Sequence, residues 1–245
     1  MIHFGAIERL ERNTRRVGEI VGVLTKYGLA DWLKSIPVAR VQTWLQSAEG
    51  QAISELTFEE RVRLALAELG TTFIKLGQML STRPDVVGPE MAQELSRLQA
   101  GTLPDPPEYI RTVFQEEFGK SPETVFAAFE TDAVASASIA QVHRARLPSG
   151  EKVAVKIRKS GIESRIESDL SILAGLAELA EKYSSQLKPY RPVGLVRQFR
   201  RSILHELDFT RERRNLEEFA RNFAADPTVH FPKPWPEFSS GRVLT

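Results

Sequence analysis

The stretch from Val134 to Ile157, VASASIAQVHRARLPSGEKVAVKI, limits the fold of this chain more than any other. It reads as two short strands joined by a tight turn, with a small-residue loop in front. Ile139, Val142 and Leu147 are the apolar positions of the first strand, broken by Ala140 and Ala145. Pro148-Ser149-Gly150 has turn chemistry, since proline presets φ and glycine accepts a positive φ. From Lys152 to Ile157 the residues alternate, with Val153, Val155 and Ile157 on one face and Ala154 and Lys156 on the other. A lysine at the end of such a strand needs a reason, because a buried ammonium without a partner is costly. A phosphate together with a carboxylate partner is one reason. An edge strand with its lysine in water is the plainer one.

The chain before this unit reads as helical. Met1 to about Leu45 is mildly amphipathic, with Ile7, Leu10, Val17, Ile20, Val21 and Leu24 at helical spacing and Trp32, Leu33 and Trp44 adding bulk. Such a segment packs on the body of the protein or lies on a membrane surface, and the mixture of acids and bases on its polar face favours packing. Gln46 to Glu55 reads as a linker. The spacing then predicts one long helix over Thr57–Leu80, in which Phe58, Val62, Leu66, Leu69, Phe73, Leu76 and Leu80 form a continuous stripe. Thr71, Lys75, Gln78 and Thr82 line a polar face of the same helix. Gly70 and Gly77 form a small-residue seam. An interior glycine costs about 1 kcal/mol relative to alanine, so the seam implies close approach of another backbone.

Further helices follow in short units. Ser81 to Asp85 ends the long helix, and Gly88-Pro89 opens another with Met91, Leu95 and Leu98 inward and Gly101 as its stop. Asp105 with Pro106-Pro107 is the expected cap of the next, whose core face is Ile110, Val113, Phe114 and Phe118 and whose end is Gly119. Ser121-Pro122 starts a last short one. After the strands, Ile162 to about Tyr183 is helical. Val193 to about Ala225 reads as helical again, and Pro227–Thr245 as an extended tail with short strands near Val229–Phe231 and Arg242–Thr245. The fold class is therefore α+β, divided into a helical region and linker over 1–55, a helical extension over 56–130 and a strand-bearing unit over 131–245.

Composition removes several function classes. A net charge of +1 with 27% charged residues gives no global attraction for nucleic acid. There is no cysteine, so thiol catalysis and cysteine metal sites are excluded. The four histidines are scattered, without metal-ligand spacing. No apolar run approaches the ~18 residues of a membrane span. Early charges at Glu8, Glu11 and Arg12 rule out a signal-peptide core.

Three polar features then call for one explanation: the loop Ala135-Ser136-Ala137-Ser138, the strand lysine Lys156, and acids late in the chain. Asp208, Glu212 and Asn215 are spaced to share one helix face, so that Glu212 can pair with Lys156 if that face meets the strands. V-A-V-K after a small-residue turn matches the strand lysine of protein kinases, where a glutamate from a helix aims the lysine at phosphates. Adding K-x-G-Q (Lys75 to Gln78), A-x-A-S-I-A-Q-V-H (Ala135 to His143) and E-x-D (Glu206 to Asp208), in this order, the chain from about Leu64 to Thr245 resembles the UbiB (AarF) family of atypical kinase-like proteins.

The resemblance implies a protein-kinase-like N-lobe preceded by added helices, binding of ATP or ADP with Mg²⁺, and support of isoprenoid quinone (ubiquinone) biosynthesis at the membrane. Nucleotide contacts fall to Ala135, Ser136, Ala137, Ser138, Lys156 and Glu212. Ser136 stands where alanine is usual. Alanine lacks the φ > 0 freedom of glycine, so the loop should be stiffer than a glycine-rich one. Lys75, with Gln78 beside it, is expected to lie over the site and meet Glu206 and Asp208, so that small-molecule phosphorylation or ATP hydrolysis replaces protein phosphorylation. Glu206 and Asp208 differ by about 200° on an unbroken helix, so they share a target only if the helix bends or starts there. No H-x-D and no D-F-G occurs in the chain. The expectation is an N-terminal portion with no catalytic residue of its own, Mg²⁺ ligands beyond Thr245, no ATP turnover alone, and a cytoplasmic location peripheral to the inner membrane. Quinone precursors, membrane lipid and quinone-biosynthesis enzymes are the implied partners, and nucleic acid is not. A non-catalytic pseudokinase-like scaffold sensing nucleotide or lipid is the alternative.

Overall fold

The computed structural model describes residues 13–31, 56–99, 101–185 and 187–245. Ile7, Leu10, Trp32, Leu33, Trp44 and the linker Gln46–Glu55 lie outside the described residues. In chain order the described helices are α1 (Thr14–Lys26), α2 (Phe58–Leu69), α3 (Thr71–Ser81), α4 (Pro84–Val87), α5 (Pro89–Leu95), α6 (Pro107–Phe118), α7 (Pro122–Val125), α8 (Ile162–Tyr183), α9 (Pro192–Glu206) and α10 (Phe209–Asn222). The strands are β1 (Ala128–Phe129), β2 (Ala135–Ser136), β3 (Ala140–Arg146), β4 (Lys152–Arg158) and β5 (Val243–Leu244). The chain forms two compact units, one of residues 1–100 with 164–201, the other of residues 101–163 with 202–245. The helix at 107–118 thus belongs with the strands.

In the first unit, Val17, Ile20 and Val21 of α1 pack with Leu69, Phe73, Ile172 and Leu179. Thr57 opens α2 with a reciprocal cap. The Glu60 amide donates to Thr57 Oγ1 at 3.2 Å, and the Thr57 amide donates to the Glu60 carboxylate at 2.9 Å.

The long helix expected over Thr57–Leu80 is broken in two at Gly70, whose φ of 92° and ψ of −160° only glycine adopts without strain. The apolar stripe runs straight through the break, which is why periodicity alone misses it. Side chains clamp the joint. Arg16 donates to the Leu69 carbonyl at 2.7 Å and to Asp169 Oδ1 at 2.7 Å, and the Thr72 hydroxyl donates to Asp169 Oδ2 at 2.6 Å. Gly70→Ala should lower unfolding free energy by about 1–3 kcal/mol through backbone strain alone, since the added methyl would meet only the Arg165 guanidinium, at an ordinary contact distance of 3.6 Å. Urea denaturation measures this, and an unchanged midpoint would contradict it.

Gly77 also departs from the expectation of a second backbone. A Cβ there would lie 2.3 Å from Leu98 Cδ1 and 3.0 Å from Leu66 Cδ1, so the glycine makes room for leucine side chains. The helix begun at Gly88-Pro89 ends at Leu95, ahead of Gly101.

The second unit is an antiparallel sheet in the order β1-β3-β4-β5, with β2 also pairing β3. The turn behaves as its residues dictate: Gly150 has φ 103° and its amide donates to the Leu147 carbonyl at 2.9 Å. The alternation read from the sequence holds. Val155, Ile157 and Val243 pack on Ile110, Val113 and Phe114 of α6. Opposite, Ala140 and Leu244 meet Phe209 and Leu216 of α10. Gly119 ends α6 in the left-handed conformation. Asp105 does not cap that helix: Pro106 holds the N-cap position. The helix expected over Val193–Ala225 is broken between Glu206 and Phe209. Val229–Phe231 forms no strand; Phe231 instead packs against the rings of Phe219 and Phe223. Among the described residues no helix is long and apolar enough to cross a membrane.

Candidate functional site

Strand register sets the site. Ala135 lies opposite Val142, Val142 opposite Lys156, and Lys156 opposite Leu244, so these four form one row across the sheet and share its face. At a strand spacing of about 4.8 Å, Lys156 starts only two strands from the alanine-rich loop.

The carboxylate comes from α10. Asp208 is the N-cap of α10, accepting from the Thr210 amide at 3.0 Å and the Thr210 hydroxyl at 2.6 Å. Arg158 of β4 donates to the Leu207 carbonyl at 2.8 Å, and the Phe209 amide donates to the Gly241 carbonyl at 3.1 Å. Held at this corner, the first turn of α10 aims Glu212 at the strand. Lys156 Nζ and Glu212 Oε2 lie 2.7 Å apart. The ammonium also sits 4.8 Å from the centroid of the Phe209 ring, a cation–π contact. Neither Phe209 nor Arg158 was singled out from the sequence. The signal was present in Asp208-Phe209-Thr210, an N-cap residue followed by an apolar one.

The pair is not a sealed ion pair. Side-chain exposure is 34% for Lys156 and 44% for Glu212, and an ammonium carries three donors, of which Glu212 takes one. In the loop, the Ala137 amide is committed to the Ala140 carbonyl at 2.8 Å and cannot serve a ligand. Ser136 Oγ, in contrast, is buried with no hydrogen-bond partner. Ser136 lies opposite Gln141 and Gln141 opposite Ile157, so its side chain belongs to the other face of the sheet from Lys156. An acceptor-rich anion suits the open lysine, which fits a nucleotide phosphate. Ser138 is buried. Among the described residues no group of three or more histidines and carboxylates is arranged to hold a metal ion.

The remaining expected residues divide between the units. Lys75 and Gln78 belong to the first, Glu206 and Asp208 to the second. Gln78 Nε2 donates to the Leu98 carbonyl at 3.1 Å, and Gly77 packs on the Leu98 side chain. Two members of K-x-G-Q therefore seat Leu98. The break separates the two acids of E-x-D: Glu206 ends one helix and Asp208 caps the next.

Residues 97–245 match the family model described as the ABC1 atypical kinase-like domain. The chain is 40% identical over 240 residues to a probable protein kinase UbiB of Pseudomonas paraeruginosa, covering 94% of this chain and 44% of that one. It is 34% identical over 245 residues to a probable protein kinase UbiB of Actinobacillus pleuropneumoniae, again covering 44% of the relative. The chain thus spans less than half the length of these curated relatives. Among solved structures, the Rv3197–erythromycin complex from Mycobacterium tuberculosis superposes with a TM-score of 0.51 at 26% identity, over 73% of this chain and 45% of that one.

Proposed function

The chain belongs to the UbiB/AarF family of atypical kinase-like proteins, and from that premise we propose that it is the nucleotide-binding N-lobe part of a kinase or ATPase supporting ubiquinone biosynthesis. The observation that carries this reading is the Lys156–Glu212 pair, 2.7 Å apart and open to a ligand, in the same row of the sheet as Ala135 of the alanine-rich loop. In this reading Lys156 contacts the α and β phosphates of ATP or ADP, and Glu212 aims it. A bound nucleotide with Mg²⁺ supplies the transferable phosphoryl group, and the chain's own residues bind and orient it. Exclusion of protein substrates by the K-x-G-Q segment belongs to the same reading, so the phosphoryl acceptor is a small molecule or water. Quinone precursors and the membrane surface are the corresponding partners.

Binding of ATP and ADP with Mg²⁺ to the intact protein, followed by thermal shift, tests the reading, and no shift with either nucleotide would refute it. Ser136→Ala should raise stability by about 1 kcal/mol, since an unsatisfied buried hydroxyl on the far face of the sheet is removed. Urea denaturation measures this, and a lowered midpoint would contradict it.

A further inference from the structure

We propose that residues 101–105 form a strap that holds the alanine-rich loop in place, with Thr102 and Lys159 as its positioning residues. The functional consequence rests on the nucleotide reading of that loop. Gly101 to Asp105 has no regular secondary structure, and Leu103 is 90% exposed, so side-chain burial does not secure it. Polar bonds do. The Thr102 hydroxyl donates to the Ala137 carbonyl at 2.7 Å and accepts from Lys159 Nζ at 2.5 Å. The same ammonium donates to the Leu103 carbonyl. The Lys159 amide donates to the Ile139 carbonyl at 2.9 Å. One lysine therefore touches the strap with its head and the end of the loop with its backbone.

Lys159 is only 8% exposed, unusual for lysine. Burial pushes its amine pKa down, and the Asp105 carboxylate opposes this. The far end of the strap is anchored as well. The Asp105 amide donates to Gln141 Oε1 at 2.5 Å, and the Asp105 carboxylate accepts from the Ser160 amide at 2.6 Å and hydroxyl at 3.2 Å. Gln141 in turn donates to His143, a fully buried imidazole whose Nδ1 donates to the Glu130 carbonyl. Burial depresses its pKa and keeps it neutral. Every connection runs within the second unit, and together they fix the backbone on the C-terminal side of Ser136.

The test is hydrogen exchange of the amides of residues 134–140 in the intact protein without nucleotide, together with ATP and ADP affinities. Thr102→Val keeps the shape and removes the hydroxyl; it should speed loop exchange by about tenfold, the effect of one lost hydrogen bond. Thr102→Ser should return exchange to within about twofold of wild type. Nucleotide affinity should fall in Thr102→Val and recover in Thr102→Ser. Lys159→Met should resemble the valine variant and Lys159→Arg the wild type. Unchanged exchange in Thr102→Val overturns the strap, as does equal acceleration in the serine variant. Faster exchange with unchanged affinity overturns the positioning role. A wild-type protein that binds neither nucleotide counts against the proposed function, and loop exchange then decides the strap by itself.

Discussion

Lys156→Met should leave the protein folded and weaken ATP and ADP binding by about ten- to a hundred-fold, the loss expected for a charge-assisted bond to phosphate. The protein stays folded because both members of the Lys156–Glu212 pair are more than a third exposed and solvent screens their attraction. Pairs of this kind contribute about 0–1 kcal/mol. Methionine also keeps an unbranched apolar side chain of similar length at this position. Glu212→Gln should act in the same direction and less strongly, because it removes the charge that orients Lys156 and leaves the ammonium in place. Calorimetric titration reads both variants. An undiminished affinity in Lys156→Met would mean that the strand lysine serves the fold and not a phosphate.

The largest effect on stability is expected in the first unit, at Arg16. Its guanidinium bridges the Leu69 carbonyl and Asp169, whose side chain is 1% exposed. Arg16→Met would leave the carboxylate in the core with the Thr72 hydroxyl as its remaining partner among those described above. Removing one partner of a buried pair costs about 3–5 kcal/mol. Asp169→Asn should cost less, because Arg16 keeps Glu19 at 3.0 Å and the Leu69 carbonyl. Urea denaturation of both variants separates these outcomes. A loss within about 0.5 kcal/mol for Arg16→Met would class the network as surface decoration.

The Lys156–Glu212 contact spans 56 residues of sequence and was legible because each half carried its own signal. The strand lysine stood in an alternating run, and the glutamate lay on a charged helical stretch. The hairpin turn and the Gly119 cap were legible for the same local reasons. The break at Gly70 was not, because apolar spacing continues across it and a positive φ leaves no mark in the periodicity. Arg16 and Asp169 were hidden among ordinary amphipathic charges, since burial of a charged pair depends on what another helix brings to it. The strap at 101–105 was hidden more completely: its bonds join an irregular segment to backbone carbonyls, which any residue provides. Asp208 was read as a helix-face acid, although its identity and the Phe209-Thr210 that follow suit an N-cap. The two-residue strands β1 and β2 are too short for alternation to reveal.

The most direct measurement is a crystal structure of the intact protein with ADP and Mg²⁺. The account predicts phosphate oxygens within about 3 Å of Lys156 Nζ, the ordinary reach of a charge-assisted hydrogen bond, with Glu212 still paired to the ammonium. A nucleotide bound elsewhere, with Lys156 touching Glu212 and solvent alone, would contradict it.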